Sequence, residues 1–212
     1  MKNTKWLPFI IISLIFLTLS AGISYTRFSS IEVGKQLKGE CDYNIYSDLS
    51  AVIAGGADPF STRNYFYRDS GLVPKIYIHY AFYASFNAFF IRLTLLSSEE
   101  VVYSITPFIL NIILVFAIFF SSRIMKFSPN QATFFLILLL FVVDDFAIYD
   151  LGYTKGETLG ISFALIGISF FLTHKLWHSI PFLFAAAISH LACTGVTAIL
   201  LAYSILFSLY FL

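Results

Sequence analysis

Charged residues are scarce in this chain. Only 12% of the 212 residues are Asp, Glu, Lys or Arg, about half the proportion in a typical soluble domain. Hydrophobic residues make up 58%, and phenylalanine alone occurs 25 times. A soluble fold of this length cannot bury so much apolar surface, because much of any folded surface faces water. The composition therefore excludes an independent soluble domain and predicts an integral membrane protein whose solvent is the lipid bilayer.

Cysteine is also rare, and the net charge is close to zero. Cys41 and Cys193 lie far apart and have no metal-ligand spacing, so we interpret them as unpaired. The formal net charge of +1 creates no overall field to attract nucleic acid, which is not an expected partner. Glycine-rich phosphate loops, nucleophile elbows and zinc-finger spacings are absent from the sequence. Any chemistry must therefore come from the polar residues between the apolar runs.

The first apolar run predicts a membrane anchor over residues 1–25. It extends from Trp6 to Tyr25 and follows Lys2 and Lys5. A cleaved signal peptide is the alternative, since small residues stand at 20–22. The run is long for a signal peptide, so we favour an uncleaved anchor. The positive-inside rule then places the N-terminus in the cytoplasm and the first long loop outside.

Residues 26–100 are predicted to form an external loop with an interfacial helix. Arg27 to Lys75 is the longest polar stretch, and it contains turn signals and many aromatic residues. Ile76 to Leu96 is long enough to span a bilayer, but it includes His79, Asn87 and Arg92. Its aromatic side chains suit the membrane interface, so we expect this helix to lie along the outer surface.

Residues 101–212 are predicted to form a transmembrane bundle. With the interfacial helix outside, the basic residues Arg123, Lys126 and Lys175 fall in cytoplasmic loops, as the positive-inside rule requires. The fold class is thus an all-α polytopic membrane bundle of about six transmembrane helices plus one interfacial helix. The predicted spans after the anchor are Val101–Phe120, Phe127–Val143, Thr158–Leu172, Pro181–Ala192 and Val196–Leu212.

Acidic residues form two clusters that this topology places on the outer face. The first comprises Glu40, Asp42 and Asp48, and the second comprises Asp144, Asp145, Asp150 and Glu157. A structural explanation is that they cap loops and helix N-termini. Asp144 and Asp145, however, directly follow a predicted span that begins at Phe127. At ~1.5 Å of rise per residue that span is only about 25 Å long, so the two carboxylates lie at or just below the outer boundary of the bilayer. Ionisable groups at that depth are candidates for function.

The first loop carries a resemblance to a known family. Asp42 is followed by Tyr46 four residues on, then by small residues, by Gly55-Gly56 and by Pro59-Phe60. This pattern resembles the first external loop of GT-C glycosyltransferases, polytopic enzymes that use polyprenyl-phosphate-linked sugars. Their anchor-then-loop order is also similar. The resemblance covers nearly the whole chain as the N-terminal half of such an enzyme, and the chain ends within an apolar run.

The turn from Gly152 to Glu157 is similar to a turn of the oligosaccharyltransferase catalytic subunit, which is a GT-C member. The resemblance implies a divalent cation, Mg²⁺ or Mn²⁺, on Asp145, Asp150 and Glu157. Lys155 stands where the family has a metal-binding aspartate. A protonated lysine cannot bind a metal ion, but it can hold a lipid phosphate.

The resemblance also implies roles for the loop residues. Asp42 would be the catalytic base, with Glu40 and Asp48 as further catalytic candidates. Arg63, Arg68 and Lys155 would bind the donor phosphate, and their structural alternative is a loop or headgroup salt bridge. The expected partners are the lipid bilayer, a polyprenyl-phosphate-linked sugar and other membrane subunits.

Two other functions remain open at this stage. One is a non-catalytic membrane component or truncated GT-C relative that acts as an assembly partner. The other is a small transporter, which we disfavour because the carboxylates crowd one face and no internal repeat is visible.

Overall fold

The computed structural model describes residues 4–32, 41–58, 78–141, 156–189 and 197–200, together with 202, 203 and 205. Within these ranges the regular structure is helical and contains no strand, which confirms the all-α class. A 3₁₀ turn at Thr4–Trp6 leads into the first helix. The helices are α1 (Leu7–Glu32), α2 (Cys41–Ala54), α3 (Ile78–Thr94), α4 (Ser98–Ile124), α5 (Pro129–Phe141), α6 (Gly156–Leu172) and α7 (Leu176–Ser189).

Two of the described helices are long and apolar enough to cross a membrane. They are Leu7–Ile31 within α1, with 25 residues, and α4, with 27 residues. Both include a predicted span, and α1 continues past the predicted end of the anchor at Tyr25. Helices α5, α6 and α7 are apolar but shorter. Helix α3 has 17 residues and is not among the candidate spans.

Capping boxes fix two of the helix starts. At α4 the Ser97 hydroxyl accepts the Glu100 N–H, and the Glu100 carboxylate accepts the Ser97 N–H at 2.7 Å. At α5 Ser128 and Gln131 make the same reciprocal pair. These side chains satisfy N–H groups that have no partner within the helix.

Residues in the left-handed conformation end three of the helices. Leu95, Lys126 and His174 have φ of 59°, 57° and 58°, respectively. After α6 the His174 N–H donates to Phe171 O and the Lys175 N–H to Phe170 O, which is the Schellman pattern. Helix α7 therefore begins at Leu176, earlier than the predicted start at Pro181. Pro181 lies within this helix.

Helices α1 and α4 run antiparallel. At one end the Trp6 ring lies 5.4 Å from the Phe119 ring and 5.8 Å from the Arg123 guanidinium carbon. In the middle, Asn111 Nδ2 donates to Ser20 Oγ at 2.7 Å, and both residues are buried. A hydrogen bond of this kind fixes the register between apolar helices.

Helices α6 and α7 extend the described bundle on another side of α4. The rings of Phe120 on α4 and Phe170 on α6 are 6.3 Å apart, while Leu159 near the start of α6 packs in a cluster with Val102 of α4. Helices α4 and α6 therefore run parallel. Helix α7 returns antiparallel to α6, since the two are joined by the short turn at residues 173–175.

The bundle has two chemically different ends. We call the first the basic end, defined by Lys5, Trp6, Arg123, Lys126 and Lys175. We call the second the tyrosine end, defined by the buried cluster that contains Tyr46, Tyr83, Val102, Tyr103 and Leu159. Another cluster, around Phe9, Phe16, Leu114 and Leu136, packs α1, α4 and α5 together.

Candidate functional site

A parallel pair of helices, α2 and α3, forms part of the tyrosine end. The Tyr46 ring meets the Tyr83 ring edge to face, with centroids 4.7 Å apart and an interplanar angle of 84°. Further along α2, Leu49 and Ile53 lie in a cluster with Ala84 and Ala88 of α3. The alanines have small side chains, so they let the two helices approach closely.

Arg92 joins the C-terminal ends of this pair. Its Nε donates to Ala54 O at 2.8 Å, and its Nη2 donates to Ile53 O at 3.0 Å. Both carbonyls lie in the last turn of α2, where the helix itself supplies no further N–H donors. Ile53 O also accepts the Gly56 N–H of the following turn at 3.0 Å. The guanidinium adds a donor to each carbonyl and places positive charge at the negative end of the helix dipole.

The start of α4 completes the tyrosine end. Ser47 Oγ and Ser98 Oγ share a hydrogen bond of 2.9 Å, which joins α2 to α4. The next residues form a π-helical turn over Val101–Ile105, and the Thr106 N–H donates to Val101 O. Pro107 follows and has no N–H, so it leaves one carbonyl of this turn without its usual α-helical donor. Turns of this kind often accompany functional sites.

A buried hydrogen bond connects α3 to α4 beside the tyrosines. The Thr106 hydroxyl donates to Asn87 Oδ1 at 2.6 Å, and neither residue is exposed. Burial raises the pKa of the Tyr83 phenol above its ordinary value, and a hydrogen bond with Asn87 opposes that rise. Tyr83 is therefore a neutral hydrogen-bonding group at physiological pH.

Several charged residues border the tyrosine end. Arg27, Asp48 and Glu99 all lie within electrostatic range of the Tyr103 phenol. Asp48 is exposed on α2, and half-buried Glu157 stands in the first turn of α6, two residues before Leu159. The structure thus places Asp48 and Glu157, one from each predicted acidic cluster, at the same end of the bundle.

The other predicted site residues are only partly within the described part of the chain. Asp42 lies in the first turn of α2, and the position of its side chain is not among those described. The remaining predicted catalytic, phosphate-binding and metal-binding residues, together with Asp144, lie outside the described residues: Glu40, Arg63, Arg68, Asp144, Asp145, Asp150 and Lys155.

The metal prediction can be compared with the structure at one residue. Of the three predicted ligands, Glu157 alone is described. No group of three or more His, Cys, Asp or Glu side chains that could hold a metal ion occurs in the described ranges. The divalent-cation site therefore stays a prediction from the resemblance.

Sequence reasoning missed the residues that organise this end. It noted Asn87 and Arg92 as polar residues of an aromatic segment, but gave neither a structural role. It gave no role to Tyr83 or Tyr103. A signal was available at Asn87, because a buried amide side chain needs a hydrogen-bond partner.

Comparison with known protein families, with curated proteins and with solved structures gave no match. The interpretation of the tyrosine end therefore rests on its geometry, its charges and the sequence of α2. The cluster at this end contains Tyr46 of α2 and Leu159 of α6, together with residues of α3 and α4 that lie in the same cluster.

Proposed function

We propose that this chain is a GT-C-type membrane glycosyltransferase that moves a sugar from a polyprenyl-phosphate donor to an acceptor on the outer face. One observation supports this proposal above the others. Helix α2, which carries Asp42 and Asp48, packs in the same cluster as the first turns of α6, which carry Glu157. A transfer site of this class needs carboxylates from separate elements around one reacting centre.

The proposal includes a multi-pass topology with about six spans. The basic end, with Arg123, Lys126 and Lys175, would face the cytoplasm, and the tyrosine end would face outside. The distribution of charges supports this orientation, because the carboxylates Asp48, Glu99 and Glu157 lie at the opposite end from those cations.

The reaction would be a single displacement. The acceptor hydroxyl or amide attacks the anomeric carbon, and the bond from that carbon to the phosphate oxygen breaks. The polyprenyl phosphate leaves with the bonding electrons, and the acceptor proton passes to the Asp42 carboxylate. Arg63, Arg68 and Lys155 would stabilise the charge on the departing phosphate. A bound divalent cation would supply the same stabilisation.

The architecture of α2 suits such a role. The Arg92 cap, the Tyr46–Tyr83 contact and the Ser47–Ser98 hydrogen bond attach this helix to α3 and α4 at three levels. A carboxylate on a helix that is fixed in this way is held at a constant position relative to its partners. Catalytic groups gain most from such preorganisation.

The test is sugar transfer in proteoliposomes supplied with polyprenyl-phosphate sugars and a set of acceptors. The variants are Asp42→Asn and a matched control, Glu99→Gln, which removes an exposed carboxylate at the same end. We expect Asp42→Asn to lower the rate by about 10²-fold or more, since general-base catalysis contributes ~10²–10⁴-fold. Glu99→Gln should transfer at the native rate.

Two results would contradict the proposal. Equal rates for Asp42→Asn and the native chain would remove Asp42 from the mechanism. Absence of transfer by the native chain, across several donors and acceptors, would favour a non-catalytic component that works with other membrane subunits. Equal insertion and equal thermal unfolding of all three proteins must be established first.

A further inference from the structure

A second feature lies far from the tyrosine end, in a groove between α1 and α4. The groove has a volume of about 470 Å³, which falls in the range of ~300–1,000 Å³ that is usual for small-molecule sites. Its walls are almost entirely apolar. They include Trp6, Phe9, Ile10, Leu14, Phe116 and Phe119.

The mouth of the groove carries positive charge. The Arg123 guanidinium lies over the Trp6 ring, 5.8 Å from its centroid, so the ring holds it beside the opening. Lys5 and Lys126 are exposed close by in the chain, and both belong to the basic end. The carboxylates Asp48, Glu99 and Glu157 lie at the opposite end of the bundle. An apolar groove with a cationic mouth complements a molecule that has an apolar chain and an anionic head.

We propose that this groove binds one anionic phospholipid, with an acyl chain along α1 and α4 and the phosphate against Arg123. The exposed walls support this assignment, since Ile10, Leu14 and Phe116 are 49%, 58% and 68% exposed. Such side chains are stable against hydrocarbon but not against water. Arginine and lysine near a bilayer surface attract anionic headgroups. The site is separate from the proposed transfer site, which lies at the tyrosine end.

Tryptophan fluorescence provides a direct test, because Trp6 forms part of the groove wall. The chain has two tryptophans, and Trp177→Phe leaves Trp6 as the sole emitter. The full-length protein is placed in phosphatidylcholine vesicles that contain increasing fractions of a brominated lipid, either phosphatidylglycerol or phosphatidylcholine. Bromine on an acyl chain quenches a tryptophan that it touches.

We expect brominated phosphatidylglycerol to half-quench Trp6 at a mole fraction about fivefold lower than brominated phosphatidylcholine does. This factor corresponds to the attraction of about one cation for an anionic headgroup at the membrane surface. Arg123→Gln should abolish this preference, and Arg123→Lys should keep most of it. The matched control is Lys175→Gln, which removes a cation of the basic end that does not line the groove. It should leave the preference unchanged.

Three results would overturn the proposal. The first is equal quenching by the two lipids in the protein with native Arg123 and Lys175. The second is a loss of preference in Lys175→Gln as large as in Arg123→Gln, which would indicate a general surface charge and no site. The third is no quenching of Trp6 by either lipid, which would mean that a second copy of the chain or another protein segment fills the groove. Equal thermal unfolding of the variants in lipid without bromine verifies that each one keeps the native fold.

Discussion

At the scale of single residues, one glycine controls how closely two helices pack. A Cβ built on Gly167 of α6 would lie 2.8 Å from Leu183 Cδ2 and 3.1 Å from the Leu183 backbone N. Real Cβ atoms do not approach other atoms so closely, so the two helices must separate or Leu183 must shift. Small residues such as Gly167 allow close contact between helices within membranes. Gly22 of α1 is the opposite case, because a Cβ added there would have nothing within 4 Å.

We predict that Gly167→Ala destabilises the bundle and that Gly22→Ala does not. Alanine favours a helix over glycine by ~1 kcal/mol at both positions, but overpacking against Leu183 costs about 1–3 kcal/mol. The measurement is unfolding in detergent with increasing denaturant. Leu183→Ala should cost less stability in the Gly167→Ala background than in the native sequence, since it removes the side-chain atoms that clash. A Gly167→Ala variant as stable as Gly22→Ala would show that the two helices are not in contact there.

At the scale of helices, the α2–α3 pair is joined at both ends. Arg92 donates to the last carbonyls of α2, while the aromatic contact of Tyr46 with Tyr83 lies at the other end. Helix α2 is only 14 residues long. A helix of this length is marginal in water, so it depends on its packing and caps.

Removing the guanidinium should therefore loosen α2. We predict that Arg92→Leu accelerates amide hydrogen exchange in the last turn of α2 by about tenfold, since a hydrogen bond to a charged group contributes ~1.5–3 kcal/mol. Arg92→Lys should have an intermediate effect, because lysine keeps the charge but not the two-nitrogen geometry. Exchange in α5, which packs against α1 and α4, is the internal control. Equal exchange of α2 in all three proteins would contradict the capping role.

The sequence predicted some of these elements well. A long apolar run in lipid must satisfy its backbone hydrogen bonds within itself, and a helix does so. The all-α class and the positions of α1 and α4 could therefore be predicted from the sequence. The start of α4 was also readable in principle, since Ser97 and Glu100 have the spacing of a capping box. The end of α1 at Glu32 and the start of α7 at Leu176 were not predicted, because apolarity ends before the helical backbone does.

The site was less accessible to sequence reasoning. The positive-inside topology suggested that the elements of Asp48 and Glu157 would face the same side. It did not reveal that Tyr46 meets Tyr83 or that Arg92 caps α2, because these contacts join separate segments. Long-range pairing depends on tertiary packing, which no local pattern records. The resemblance to GT-C enzymes drew attention to α2 but gave no role to the residues that hold it in place.

At the scale of the whole molecule, the two ends of the bundle differ in charge, and the proposed function depends on that difference. Glu99 is exposed at the tyrosine end, and Lys175 is exposed at the basic end. If the bundle crosses the membrane, these residues lie on opposite sides of it. The transfer site and the lipid groove would then face different leaflets.

The most direct measurement is therefore the sidedness of these two positions. With Cys41→Ser and Cys193→Ser as background, Glu99→Cys and Lys175→Cys are each exposed to a membrane-impermeant maleimide on intact cells. The proposed topology predicts that Glu99→Cys is labelled at once and that Lys175→Cys is labelled only after permeabilisation. Labelling of both from the same side, or of Lys175→Cys alone, would contradict this topology and with it the outward-facing transfer site.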